Sequence, residues 1–312
     1  MTNRPGRVVL LGPQRGHPGL GGLISELADG GSVALITAGW QEWEEDDAEL
    51  RSALGAEAVN LGLYHRAEEI WAEDRELAGA HKKLQHDVRL LRSAYNVRLA
   101  RALEAWIEVQ AMPGDAAVLD PEREAALASV RELDVQHAGR LQDLRNAFYR
   151  STDPLMRSSV GRQRDQIARV LEDAGVVFVA GGHLPALLNR LRLFGVDRLL
   201  RGRTVVAASA GAMALTERVV LFHDTPPWGP GHAEVGEVGL GLAPGVVALP
   251  DANARLRLDD PGRVARMARR FEPDACVLLD AESRVAWRGR WDPRGARRLT
   301  SRGTVEAWRP GA

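Results

Sequence analysis

Residues 204–215 read TVVAASAGAMAL, and this stretch decides the fold. The small and β-branched residues 204–208 predict a buried strand that ends at Ser209. The small residues 210–212 allow a sharp turn, and the helix-forming residues after them predict a helix. A strand, a sharp turn at a serine and a helix together have the shape of a nucleophile elbow.

This turn suits a nucleophilic serine for simple chemical reasons. It lifts the Ser209 hydroxyl away from the backbone, where a substrate can reach it. The backbone N–H of Ala210, at the positive end of the following helix, would donate to the anionic oxygen of a tetrahedral intermediate. The usual motif is G-x-S-x-G, and Ala207 stands here in place of its first glycine, so the motif alone leaves a structural serine possible.

The preceding strand strengthens the case for a site. Residues 176–180, VVFVA, predict a buried strand that ends at Gly181 and Gly182. The carboxyl ends of neighbouring parallel strands meet at one edge of a sheet, where α/β proteins bind ligands. We therefore expect the Gly-Gly turn to lie beside Ser209 and to supply a second oxyanion donor.

Further strands are predicted on both sides of these two. Apolar runs at 7–12, 31–40 and 57–63 precede them, and runs at 238–251 and 274–280 follow them. Because these runs alternate with helical patterns, the sequence predicts an α/β fold whose mostly parallel sheet carries helices on both faces.

A long segment in the middle of the chain has a different pattern. Apolar residues recur at steps of three and four from Leu84 to Trp106 and again from Leu127 to Phe148, with breaks at 112–115 and at Asp120-Pro121. This spacing predicts an antiparallel helical hairpin. We predict an α/β domain at 1–65 and 158–312, interrupted by a helical insertion at 66–157. The insertion could be a packing elaboration, a lid or a dimerisation arm.

Composition excludes several classes of protein. The 312 residues carry 41 Lys and Arg against 42 Asp and Glu, a net charge of −1 that disfavours nucleic-acid binding. The single cysteine, Cys276, permits neither an intrachain disulfide nor a cysteine-based zinc site, and we expect no metal or other cofactor. No apolar run nears 18 residues, and VVLLG after the N-terminal MTNRPGR is too short for a secretory signal, so we expect a cytoplasmic protein without membrane contact.

The paired motifs also resemble a known family. GG-x-x-x-x-L-L at 181–188 followed by SAGA at 209–212, together with the stretch that begins GLGL at 239–242, resembles the dipeptidase E and cyanophycinase family of serine peptidases. The resemblance implies a class I glutamine amidotransferase-like fold, which has a flavodoxin-like sheet. It covers 7–63 loosely and 176–290 more closely, and it does not cover the helical insertion.

The resemblance also implies roles for particular residues. Ser209 would be the nucleophile, with Gly182 and Ala210 as oxyanion donors and Gly181 in the same turn. The catalytic histidine should follow the strand at 246–250, but that place holds Asp251 in one register and Asn253 in the other. A serine hydroxyl is a weak nucleophile without a base that takes its proton.

Other residues could complete the site. His183, directly after the Gly-Gly turn, is a candidate base or substrate contact, and His232 and His223 are further candidate bases. Asp251, Asn253 and Arg255 are candidate substrate-binding residues, because a guanidinium group can hold a carboxylate through two hydrogen bonds.

Three functions remain open at this point. The first is a serine hydrolase acting on a small peptide or amide through Ser209, with a relocated base or a degenerate triad. The second is a catalytically inactive member of the fold that binds a ligand or a protein partner. The third is a different enzyme on the same fold, with an amidotransferase-like or lyase-like activity. We expect a small-molecule or peptide substrate and a possible homodimer through the helical insertion.

Overall fold

The computed structural model describes residues 6–14, 19–224 and 231–310. Two 3-10 helices span Ala38–Trp43 and Pro154–Met156. The strands are β1 (Arg7–Leu11), β2 (Ser32–Ile36), β3 (Ala58–Asn60), β4 (Ala174–Val179), β5 (Thr204–Ala208), β6 (Arg218–Leu221), β7 (Glu234–Val238), β8 (Val246–Pro250), β9 (Ala275–Leu279), β10 (Arg284–Trp287), β11 (Trp291–Asp292), β12 (Arg297–Leu299) and β13 (Val305–Ala307). The α-helices are α1 (Leu20–Ala28), α2 (Ala48–Leu54), α3 (Leu63–Glu73), α4 (Arg75–Ala111), α5 (Ala116–Thr152), α6 (Ser158–Glu172), α7 (Leu184–Leu193), α8 (Val196–Leu199), α9 (Ala210–Leu215), α10 (Ala252–Arg255) and α11 (Pro261–Phe271).

The main sheet places β5 between two parallel neighbours. Its seven strands run in the order β11-β10-β1-β5-β4-β2-β3, and the five strands from β1 to β3 are mutually parallel. A second sheet has the order β13-β12-β9-β8, and β6 pairs with β7 as an antiparallel hairpin. The predicted α/β architecture with a mostly parallel central sheet is confirmed.

The strands of this sheet are apolar because helices cover both of its faces. Successive side chains of a strand point to opposite faces. Val206 and Ala208 accordingly pack into the cluster that contains Ile24 of α1, whereas Val205 and Ala207 pack into the larger cluster on the other face. A strand buried on both sides reads as a continuous apolar run, as the sequence at 204–208 does.

The middle of the chain forms a helical hairpin. Helices α4 and α5 have 37 residues each, and Asp74 and Asp115 cap their N-termini by accepting the N–H groups of Leu77 and Ala117. The predicted break at Asp120-Pro121 is wrong, because α5 continues through Pro121; in the second turn the ring removes only one helical hydrogen bond. That 66–157 is a separate insertion stays a prediction.

A buried polar network joins this hairpin to the rest of the protein. The Tyr95 hydroxyl on α4 donates to Asp134 Oδ1 on α5 at 2.7 Å, and Arg270 Nε on α11 donates to Asp134 Oδ2 at 2.7 Å. The Val235 N–H on β7 donates to the Tyr95 hydroxyl at 3.1 Å. Tyr95, Asp134 and Arg270 are at most 4% exposed. The network therefore connects both hairpin helices to α11 and β7 through buried hydrogen bonds. None of the described helices combines the length and apolarity needed to cross a bilayer.

Candidate active site

Ser209 lies directly after β5 in a strained backbone conformation. Its φ is 52° and its ψ is −121°, a region that residues with a Cβ rarely adopt. The Ser209 N–H donates to the Leu11 carbonyl of β1 at 3.1 Å, and the Ser209 carbonyl accepts the Met213 N–H at 3.2 Å. The predicted strand, sharp turn and helix are therefore present, although α9 has only six residues.

The glycines around Ser209 allow three segments of backbone to meet. A Cβ added to Gly181 would lie 2.9 Å from the Ser209 Cβ, and one added to Gly182 would lie 2.5 Å from the Gly39 carbonyl oxygen. Gly182 also has a φ of +106°. Real Cβ atoms do not approach so closely, so any side chain at either position would push the Ser209 turn and the Gly39 segment apart.

Backbone N–H groups at this meeting point are available to a ligand. The Ala180 N–H donates to the Ile36 carbonyl, and the His183 N–H donates to the Gly39 carbonyl at 2.6 Å. Within the described residues, no acceptor is bonded to the N–H groups of residues 181, 182 and 210. Uncommitted N–H groups next to a serine hydroxyl can stabilise a developing oxyanion.

Ser209 opens into a cavity of about 410 Å³. This size is typical of small-molecule sites. Strand ends and helix α2 supply its lining, which consists of Pro13, Gln14, Trp40, Asp46, Glu49, Leu50, Ala53, Phe178, Ala180, Gly181, Gly182, Ala208 and Ser209. The lining includes two exposed acidic residues, Asp46 and Glu49. The cavity can therefore hold a small molecule against the Ser209 hydroxyl.

No histidine of the described residues lines this cavity or is hydrogen-bonded to Ser209. His183 is exposed and caps α7, because its Nδ1 accepts the Ala186 N–H at 3.3 Å. His232 lines a different cavity, between α4 and α11. Burial, followed by the nearby Arg263 guanidinium, lowers the pKa of His232. The structure thus places none of the three candidate bases, His183, His232 and His223, in the lining of this cavity or in a described hydrogen bond with Ser209.

The turn after β8 is hydrogen-bonded to residues 279 and 280. The Asp251 N–H donates to the Leu279 carbonyl at 2.9 Å, and the Asn253 N–H donates to Asp280 Oδ1 at 3.0 Å. The Asp280 backbone in turn packs against Gly12, directly after β1. No described hydrogen bond joins either predicted side chain to Ser209.

Arg255 is turned toward a different neighbour. Its Cζ lies 5.3 Å from the centroid of the Phe222 ring, a cation–π contact. Phe222 belongs to the wall of the His232 cavity, not of the Ser209 cavity. Of the three predicted substrate-binding residues, Asp251 and Asn253 therefore bond to residues 279 and 280, whereas Arg255 contacts the wall of the His232 cavity.

Comparison with known proteins gives a likeness to solved structures. No protein-family model matches the chain, and no curated protein matches it significantly. A solved crystal structure of a peptidase from an acI-B1 actinobacterium is similar, at 13% sequence identity and a TM-score of 0.47, over 98% of each chain. At this identity and score, the likeness assigns neither a fold family nor an activity.

Sequence reasoning missed the acidic wall of the cavity. Asp46 and Glu49 follow Trp40 within the run WQEWEEDDAE, whose acidic residues are also typical of a solvated helix start. Their position after the carboxyl end of β2 was an available signal, because that edge of a parallel sheet is where ligands bind.

Proposed function

We propose that this protein is a serine hydrolase that acts on a small peptide or amide, with Ser209 as its nucleophile. The observation that carries the proposal is the strained turn at Ser209, which opens into a cavity beside three N–H groups without described acceptors. Strained residues cluster at functional sites because the surrounding structure must maintain them at a cost in free energy.

The chemistry follows from these positions. Ser209 Oγ forms a bond to the carbonyl carbon of the substrate, and the carbonyl electron pair moves to the oxygen. The N–H groups of Gly182 and Ala210 stabilise that oxyanion, with Gly181 in the same turn. Collapse breaks the C–N bond and expels the amine, which takes up through solvent the proton that Ser209 Oγ released. Water then hydrolyses the acyl-enzyme, which gives the carboxylic acid and restores the Ser209 hydroxyl.

The triad in this proposal is degenerate. Asp251 and Asn253 occupy the turn in which the resembled family carries its histidine, and neither is an imidazole. His183 accepts the Ala186 N–H at Nδ1, so its neutral ring carries the proton on Nε2. That nitrogen can donate to a substrate oxygen but cannot take the Ser209 proton. We therefore do not assign His183 the role of base, and its place is in the wall of the neighbouring cavity between α4, α7 and the β6–β7 hairpin.

The proposal includes a fold family. In space, β3-β2-β4-β5 reproduce the order 2-1-3-4 of a flavodoxin-like sheet, and β1 takes the place of the fifth strand. We propose that the domain is flavodoxin-like, of the class I glutamine amidotransferase-like type, with residues 66–157 inserted.

A second candidate is a catalytically inactive protein that binds a ligand in the Ser209 cavity. The observation in its favour is that no described histidine reaches the Ser209 hydroxyl. Without a base, the serine would remain a weak nucleophile in the same cavity.

Labelling with a small fluorophosphonate, read by intact mass, separates the two candidates. An activated Ser209 should give one adduct on the wild type and none on Ser209→Ala. Ser129→Ala is the matched control, because Ser129 is exposed on α5 and bonds only the Ala125 carbonyl of its own helix. That control should label like the wild type.

If the fluorophosphonate labels Ser209, a second experiment tests the substrate class. Release of free amine from a mixture of dipeptides should occur with the wild type and cease in Ser209→Ala. If the folded wild type acquires no adduct, the hydrolase proposal fails and the binding protein takes its place.

A further inference from the structure

A second cavity of about 410 Å³ lies between the hairpin helix α4, helix α7 and the β6–β7 hairpin. A ridge of two short segments separates it from the Ser209 cavity. Trp40 and Gly182 line the Ser209 cavity, whereas their chain neighbours Gln41 and His183 line the second one. The two cavities are therefore adjacent but have different walls.

The second cavity has an excess of positive charge. Its charged lining residues are Arg89, Arg92, Arg190 and Glu237. Arg92 pairs with Glu234 and Arg190 pairs with Glu68, whereas Glu237 pairs with Arg145 and Arg192. Together these residues carry five guanidinium groups and three carboxylates, an excess of two positive charges. Glu42, which accepts a hydrogen bond from the hydroxyl of the lining residue Tyr64, reduces the excess to one. An anion that entered the cavity would balance this excess.

Arg89 is the guanidinium most available to such an anion. Arg92 is paired with Glu234, and Arg190 Nη2 donates to Glu68 at 2.7 Å. Arg89 is exposed, and no carboxylate of the described residues pairs with it. A guanidinium without a partner can bind a carboxylate through two parallel hydrogen bonds.

Other features of the wall agree with an anionic ligand. The Arg190 side chain is 8% exposed, and its Nε, buried in the wall, has no hydrogen-bond partner in the described structure. Burial, followed by repulsion from Arg190, lowers the pKa of His81 to about 4. The His81 ring is therefore neutral near pH 7 and adds no charge.

One part of the remaining wall is apolar. Val88 of α4, Leu184 and Pro185 of α7, and Leu221 of β6 line it. A hydrated inorganic anion would gain nothing from these side chains, whereas a ligand with a hydrocarbon body would bury apolar surface against them.

Gln41 supplies an independent sign of function at this cavity. Its φ is 60° and its ψ is −124°, nearly the same conformation as Ser209. Such strain in a residue with a Cβ persists only where the surroundings impose it, and it is concentrated at ligand and catalytic sites. The Gln41 side chain lines the cavity, where its amide can both donate and accept hydrogen bonds.

We propose that the cavity between α4, α7 and the β6–β7 hairpin is a second binding site, for a small organic carboxylate with an apolar body. Arg89 holds the carboxylate, and the side chains around Leu184 cover the hydrocarbon. The site is independent of hydrolysis at Ser209.

Octanoate is the probe that tests this site, in a titration followed by ligand-observed NMR. A molecule of its size should bind the wild type with a Kd of roughly 1 mM or tighter. Octanamide, which has the same chain without the charge, should bind at least about tenfold more weakly, and inorganic phosphate should bind equally weakly.

Two arginine variants locate the binding. Arg89→Gln should weaken octanoate about tenfold or more. Arg75→Gln is the matched control, because Arg75 is exposed on the same helix, has no described ion-pair partner and lies outside the cavity lining. It should bind like the wild type. Ser209→Ala should also bind like the wild type, so this result does not depend on the hydrolase test.

Each contrary outcome overturns the proposal. Absence of octanoate binding to the folded wild type removes the site. Equal binding by wild type and Arg89→Gln places the binding elsewhere. Octanamide as tight as octanoate shows that charge is not recognised, and phosphate as tight as octanoate shows that the apolar wall is not used.

Discussion

Ser209 and Gln41 share a backbone conformation that glycine adopts freely and other residues rarely adopt. Their φ and ψ values are 52° and −121°, and 60° and −124°. Each lines one of the two adjacent cavities. Strain of this kind costs about 1–3 kcal/mol per residue. Both positions therefore lower the free energy of unfolding, and both line a cavity that can bind a ligand.

Replacement of Ser209 should show this cost directly. Ser209→Gly should raise the free energy of unfolding by about 1 kcal/mol relative to Ser209→Ala, because glycine relieves the strain whereas alanine keeps the Cβ that causes it. The larger entropy that glycine loses on folding offsets part of the gain. Urea unfolding followed by tryptophan fluorescence measures the difference. A Ser209→Gly protein no more stable than Ser209→Ala would show that the turn is unstrained.

At the scale of elements, His81 packs helix α4 against helices α3 and α5. The His81 ring stacks on Trp71 of α3 with 4.6 Å between centroids, and it meets the Phe148 ring of α5 edge-on at 6.2 Å. Burial, followed by the Arg190 charge, lowers the pKa of His81 from 6.5 to about 4. The packing of these helices therefore requires a neutral imidazole.

This requirement makes the stability of the fold depend on pH. Above pH 6.5, His81 is neutral in both the folded and the unfolded chain and contributes no pH dependence. Below pH 6.5 the unfolded chain takes up the proton first, so the free energy of unfolding falls with pH until the folded pKa of about 4 is reached. The loss is on the order of 3 kcal/mol at most.

A histidine variant isolates this contribution from other titrating groups. His81→Phe keeps the stacked ring and should flatten the fall in the free energy of unfolding between pH 6.5 and 4. His86→Phe, at an exposed position of the same helix, should keep the wild-type slope. Denaturant unfolding at several pH values gives the three slopes, and identical slopes for wild type and His81→Phe would contradict the prediction.

At the scale of the whole molecule, the helical hairpin exposes large apolar side chains. Leu90 and Val97 on α4 are 58% and 70% exposed. They are seven residues apart, so they lie on one face of the helix. Association through this face is the predicted homodimer, which would bury these side chains from water.

Sedimentation analysis tests the dimer. We expect the wild type to sediment as a dimer and Val97→Glu as a monomer, because a carboxylate in the apolar contact would lose its hydration. Val118→Glu serves as the control, because Val118 is equally exposed but lies at the start of α5. A wild type that is monomeric at all concentrations would contradict the expectation.

The sequence by itself determined the local structure around Ser209. The run TVVAASAGAMAL fixes a strand, a turn and a helix, because β-branched residues, small residues and helix formers act over only a few positions. The same holds for the Gly-Gly turn at 181–182 and for the helical hairpin, whose apolar steps of three and four are a local periodicity. Each of these elements was predicted from residues close together in the chain.

Only the tertiary structure decided which distant residues share a cavity. The Ser209 cavity joins Gln14, Trp40, Glu49 and Phe178 because β5 lies between β1 and β4 in the sheet, and no local pattern encodes that order. The same order leaves His183 facing α4 and places His232 in the cavity between α4 and α11. Strand order and helix packing result from the summed burial of the whole chain, which is why proximity in sequence did not predict proximity to Ser209.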